Sequence, residues 1–175
     1  MDDRSRLVGE LNGPDAPTAG ANASSADETR EIQYLLAHLS SDKTANIILK
    51  GHLVIEERLT DAVEACVSWP EFLDEARLTF AQKLLLCRSA SPTLSKSPIW
   101  EVLSKLNTLR NAFSHSLDGT RRSNATENLL NAYAVACGGN LPARESAIES
   151  LLFTCVLAMC LGFISAVKQE IEQAS

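Results

Sequence analysis

From Ser150 to Val167 the chain runs for 18 residues without a single charge. A helix that is apolar on every side has two homes, a bilayer or the centre of a helical bundle, because any face left in water keeps a large apolar area hydrated. The run sits at the short end of what a membrane span needs. It is interrupted by Thr154, Cys155, Cys160, Gly162 and Ser165, and it lacks aromatic or basic anchors at its ends. The expectation is therefore a core helix, running from about residue 143 to 173, around which other helices pack.

The rest of the chain supplies those helices. Aromatic residues make up only 5% of the 175, while Ala, Leu, Val and Ile are plentiful, which favours helix packing over a sheet. Residues 1–26 are rich in Gly, Pro, Ala, Ser and Asp and have no apolar period, so a disordered acidic tail is expected. From there the apolar spacing predicts helices over about 28–40 and 44–67. Ser68-Trp69-Pro70-Glu71 reads as a capping box with an early Pro, opening a helix to about Ala90. Ser97-Pro98 opens the next, to about Leu117. Asn124-Ala125-Thr126-Glu127 caps another, which Gly138-Gly139 ends. The resulting fold class is all-α, an up-and-down bundle of four to six helices in one domain over 27–175, with an N-terminal tail.

The formal net charge of −6 is uneven. Residues 1–28 carry six acidic side chains against Arg4 and Arg6, so the remainder is nearly neutral. This is not the overall composition of a nucleic-acid binder, and any such contact must come from a local patch. Five cysteines without metal-ligand spacing read mostly as small buried thiols in a reduced, cytoplasmic setting. No P-loop, dinucleotide fingerprint or nucleophile elbow is present, and no metal or other cofactor is implied.

The chemistry concentrates in Leu106-Asn107-Thr108-Leu109-Arg110-Asn111-Ala112-Phe113-Ser114-His115. At 100° per residue, Val102, Leu103, Leu106, Leu109 and Phe113 form one apolar arc. Arg110 lies at its edge, followed around the helix by Ser114, Asn107, Asn111, Ser104 and His115. A guanidinium half embedded in apolar surface is positioned rather than mobile. Phosphate chemistry needs such a fixed cation and a group titrating near neutrality, and this strip has both. Between Ser104 and Asn124 the basic residues Lys105, Arg110, Arg121 and Arg122 face only Asp118. Arg121-Arg122 is expected in a loop where a phosphate backbone can reach it. The structural alternative is that Arg110 caps a neighbouring helix, with Asn111 and His115 paired at a helix end.

Arg110-Asn111-x3-His115 resembles the R-x4–6-H signature of the HEPN superfamily, whose Arg is often followed by Asn, Asp or His. The segments Gly51-His52-Leu53-Val54-Ile55-Glu56-Glu57-Arg58-Leu59 and Ala76-Arg77-Leu78-Thr79-Phe80-Ala81-Gln82-Lys83 look like small prokaryotic members and, more distantly, the mannitol repressor family. The resemblance spans about residues 28–172. It implies a metal-independent endoribonuclease in a toxin or defence role, with RNA as substrate. It also implies a homodimer whose two motifs meet in one composite cleft, and an antitoxin or regulatory protein as a further partner. On this reading His115 is the acid/base, Arg110 stabilises charge on the pentavalent phosphate, and Asn111 orients the His or holds a phosphate oxygen. Lys105, Ser114, Arg121 and Arg122 would contact RNA. His115 is followed by Ser116-Leu117, whereas the nucleotidyltransferase-paired toxins have a Tyr two residues after the His, so regulation through that Tyr is not expected. The mannitol repressor likeness implies the alternative, a non-catalytic regulatory or binding module.

Three features stand outside the motif. His52 and Glu56 are spaced i, i+4; they can support the same cleft, though an ordinary surface pair is the simpler reading. Gly51, inside a helix, costs about 1 kcal/mol against Ala and points to close approach by another helix. Trp69 and Trp100 each follow a helix start and are expected to be packing anchors.

Overall fold

The structure, a computed structural model, describes Gln33 and residues 44–115, 119–139 and 146–174. The acidic tail and the helix expected over 28–40 lie outside the described residues, apart from Gln33, which is helical and exposed. Among the described residues there are six α-helices, one short 3-10 turn and no strand. They form the all-α bundle that the apolar spacing implies.

Helix α1 (Thr44–Glu64) buries Ile48, Gly51, His52, Ile55, Leu59, Ala62 and Val63 along one face. That face packs chiefly on the last helix, α6 (Ser146–Ala174), whose Phe153, Val156, Leu157, Cys160, Ile164 and Val167 are buried. Gly51 is the point of closest approach. A Cβ built there would lie 2.8 Å from Leu157 Cδ2 and 3.1 Å from its Cγ, nearer than carbon atoms pack, so only a hydrogen fits. Each fully buried Leu or Phe in this seam is worth about 1.5–3 kcal/mol.

Glu149–Ala174 has the length and apolarity of a membrane span, with half of its most apolar window buried inside the bundle. Its outer side is not all packed: Leu151 and Cys155 are exposed. The expectation of a buried thiol at Cys155 is therefore corrected, because the described residues cover the helix on one side only.

The segment after α1 departs from the single helix expected over 68–90. Pro70–Phe72 makes a 3-10 turn and α2 (Leu73–Ala76) a single helical turn, which stops where Arg77 takes a left-handed φ of 46°. The capping box that operates belongs to Thr79, whose hydroxyl accepts from the Gln82 amide while Gln82 Oε1 accepts from the Thr79 amide. It opens α3 (Phe80–Ala90). Trp69 makes no side-chain cap and is 69% exposed, so it is no packing anchor. Trp100 is one: it is buried edge-on to Phe163, 4.9 Å between centroids, and its Nε1 donates to the Leu94 carbonyl at 2.8 Å.

Trp100 belongs to the first turn of α4 (Ile99–His115). The loop before it is pinned to α6 by Glu170, which accepts from the Ser91 hydroxyl and, at 2.7 Å, from the Thr93 amide. Hydrogen bonds from the Ser91 and Thr93 side chains, with smaller help from the Thr93 and Leu94 amides, hold the Glu170 carboxyl below the usual carboxylate range. The start of α4 is thereby fixed, and with it the rotation of everything from Asn107 to His115.

The next helix begins earlier than expected. α5 (Gly119–Cys137) already contains Arg121 and Arg122, so neither lies in a loop, and Asn124 is an exposed residue within the helix rather than its cap. Arg122 supplies the physical reason. Its guanidinium sits 5.1 Å over the Phe113 ring and donates to the Phe113 carbonyl at 3.4 Å, which binds the first turn of α5 to the last turn of α4. The other end follows expectation. Gly138 takes φ +64° and the Gly138 and Gly139 amides reach back to the Val135 and Ala134 carbonyls, both at 3.2 Å, the double bond of a Schellman stop.

Candidate functional site

The residues singled out by sequence fall on and around α4. Val102, Leu103, Leu106, Leu109 and Ala112 are buried. Arg110, Asn107 and Asn111 are half-buried, and Ser104, Thr108 and Ser114 are exposed. A polar strip thus runs beside a buried face, as the helical spacing implies. His115 is the last residue of α4, one turn beyond Asn111; its side chain lies outside the described residues.

Within the strip, Arg110 Nη1 donates to Asn111 Oδ1 at 3.1 Å. This bond orients the guanidinium and leaves the Asn111 amide NH2 free to donate elsewhere. Neighbours in sequence rarely face one another on a helix, so the long Arg side chain must fold back across its own helix to make this contact.

On one flank the strip meets a polar cluster from α1 and α3. His52 is only 1% exposed. Its Nε2–H donates to Asn107 Oδ1 at 3.1 Å, and its ring lies against Phe80, 4.5 Å between centroids. That assignment leaves Nδ1 as a bare lone pair, buried and without a hydrogen bond, 3.7 Å from Glu56 Oε2. Burial pushes the imidazole below its usual range; Glu56 and the Asn107 bond favour the cation, while the Arg110 guanidinium opposes it. His52 is therefore held neutral. Glu56 in turn lies 3.6 Å from Lys83, whose ammonium donates to Thr60 Oγ1 at 2.9 Å.

The expectation of a surface His52–Glu56 pair is corrected: His52 is a buried link between α1 and α4. The sequence reading missed Asn107 as its partner and Lys83 as the cation on Glu56. Asn107 carried a faint signal, a poor helix former placed between Leu106 and Leu109; Lys83 carried none.

The four expected cations divide. Lys105 is paired with Glu101 at 2.9 Å and stands on the far side of α4 from Arg110. Arg122 is committed to Phe113, and its Nε is buried without a partner. Arg121 is exposed. It lines an open groove of about 400 Å³ between α4 and α5, on the flank of the strip opposite His52. The arrangement offers Arg110, the amides of Asn107 and Asn111 and the exposed hydroxyls of Ser104, Thr108 and Ser114 along α4, with Arg121 across the groove on α5 and a neutral imidazole beneath Asn107. Such a surface can hold a phosphodiester and donate hydrogen bonds to its oxygens. The chain matches no family model, no curated protein and no solved structure.

Proposed function

We propose that this protein binds RNA across α4 and cleaves it as a HEPN-type endoribonuclease, acting as a homodimer. The observation that carries the reading is the Arg110–Asn111 hydrogen bond at the centre of an otherwise open polar strip. It fixes a guanidinium beside an amide donor one turn before His115, which is what charge stabilisation at a phosphate requires. In the reaction the 2′-oxygen attacks phosphorus and loses its proton to one His115 imidazole. The bond to the 5′-oxygen breaks, and that oxygen takes a proton from the His115 of the second copy. The products are a 2′,3′-cyclic phosphate and a free 5′-hydroxyl, and Arg110 balances the charge on the equatorial oxygens.

A second reading draws on His52. It is buried and spent on Asn107, so it adds no accessible acid or base to the strip. A regulatory module that only binds needs nothing more. One experiment divides the two readings: incubation of mixed RNA with the wild type, His115→Ala and Arg110→Ala in EDTA. Cleavage that both substitutions abolish, with folding intact, supports the nuclease. Binding without cleavage by a folded wild type, weakened by Arg110→Ala and indifferent to His115→Ala, supports the module.

A further inference from the structure

The groove between α4 and α5 has its own chemistry. Its floor is Ala112 and Ala125, which are 1% and 6% exposed, and its rims are Thr108 on α4 and Arg121, Asn124 and Asn128 on α5. Methyl groups at the floor let a flat ring lie close to both helix backbones. Asn124 and Asn128 are one turn apart on the same face and both exposed, so two carboxamides project along one rim, each able to donate and accept. Arg121 stands one turn before Asn124, and among the described residues no carboxylate lines the groove.

Paired amides that read both donors and acceptors, a floor that admits a planar ring, and one guanidinium for one phosphate together describe a nucleotide. A volume of about 400 Å³ lies within the usual range of small-ligand sites. The groove also continues the strip. Thr108 and Ala112 precede His115 by seven and three residues, so the His115 backbone position ends the same helical face.

We infer that this groove seats one nucleotide of the bound RNA, its base edge on Asn124 and Asn128 and its phosphate on Arg121, and so sets which base lies next to the reacting phosphate. The inference rests on the RNA reading above and adds base selection to it. Lys105 and Arg122, both engaged elsewhere, take no part.

The test has two arms. In the first, binding of AMP, GMP, CMP and UMP is measured by ligand-observed NMR with the wild type, Arg121→Gln and the double variant Asn124→Leu/Asn128→Leu. Both asparagines are exposed, so an unchanged melting curve confirms the fold. The wild type should prefer one or two of the four, and the double variant should reduce that preference about tenfold. Arg121→Gln should weaken all four alike. In the second arm, cleavage positions on a mixed RNA are mapped for the same proteins, and base preference at the cut should relax in the double variant. Absence of mononucleotide binding by the wild type, or identical cut-site preference in the double variant, overturns the inference and leaves the nuclease reading standing. Selective mononucleotide binding without cleavage of any RNA sustains the groove and overturns the nuclease.

Discussion

Replacing Gly51 with Ala tests the packing that places His52. In an isolated helix the change should stabilise by about 1 kcal/mol, because Gly is the costlier residue in a helix interior. In this bundle the new methyl would overlap Leu157, at 2.8 Å from Cδ2 and 3.1 Å from Cγ with Cδ1 closer still. Leu157 is fully buried, so its side chain can give way only by moving within the core. Forcing a methyl into a packed seam costs about 1–3 kcal/mol, and the net change is a loss of up to about 2 kcal/mol. In a chain of this size that lowers the melting temperature by about 2–4 °C per kcal/mol. The assay is urea unfolding followed by far-ultraviolet circular dichroism. A second variant sharpens it. Leu157→Ala alone should cost about 2–5 kcal/mol. In the double variant the methyl introduced by Gly51→Ala partly fills the space that Leu157 leaves, so the two losses should add to less than their sum by about 0.5–3 kcal/mol. A Gly51→Ala protein that unfolds at higher urea than the wild type, or strictly additive losses, would refute the close approach of α1 and α6.

The two sides of the break before α3 should respond with opposite signs. Thr79→Ala removes the capping hydroxyl and should lower unfolding stability by about 1 kcal/mol. Arg77→Gly relieves a left-handed backbone that disfavours a Cβ and should raise it by about 0.5–1 kcal/mol. Both are read from urea midpoints. His52 predicts the pH response. Its folded imidazole is held below the ordinary value of 6.5, so the unfolded chain binds more protons just under that value. The stability His52 contributes is thus complete above about pH 6.5 and is lost as pH falls from there toward the depressed value. Urea unfolding across this window should show the decline in the wild type, and His52→Phe should flatten it; an unchanged slope would place the imidazole in solvent. For RNA affinity against salt concentration, Arg121→Gln should reduce the slope of log K by about 0.7 for the phosphate it releases, while Lys105→Gln should leave it unchanged. Equal reductions would mean that Lys105 leaves Glu101 for the ligand.

How far the sequence carried these conclusions depended on the range of each interaction. The buried face of α4 and the polar strip beside it are set by spacing within 17 residues and were legible. So were the close approach at Gly51, since an interior Gly needs a reason, and the stop at Gly138-Gly139. The break at Arg77 was harder. Ser68–Glu71 and Thr79–Gln82 both carry helix-start spacing, and the choice fell to Phe80, which packs against the ring of His52 twenty-eight residues away. The burial of His52 hid for the same reason. An i, i+4 His–Glu pair looks alike on a surface and at a helix junction, and Asn107, which separates the two cases, lies 55 residues along the chain. Arg121-Arg122 misled because Gly119 and Ser123-Asn124 resemble loop punctuation, whereas the contact of Arg122 with Phe113 extends α5 back over them.

The division of labour among the basic residues bears most directly on function. A count of charge between Ser104 and Asn124 treats Lys105, Arg110, Arg121 and Arg122 as equals, yet the structure gives them different work. Lys105 is neutralised by Glu101 across one helical turn, and Arg122 is spent joining α4 to α5. What faces outward is Arg110, held by Asn111, and Arg121 at the rim of the groove. A phosphate chain gains little specificity from a cloud of mobile cations, because such charges follow the ligand wherever it lies. Two cations on either flank of a fixed amide are different: one is anchored within α4, the other by the helix that Arg122 clamps to it. The register between them is then a property of the fold. His52, buried and neutral beneath Asn107, serves the same end. It fills a polar gap between α1 and α4 without adding a charge that would repel Arg110, and so leaves the charge of the strip to the two positioned guanidiniums.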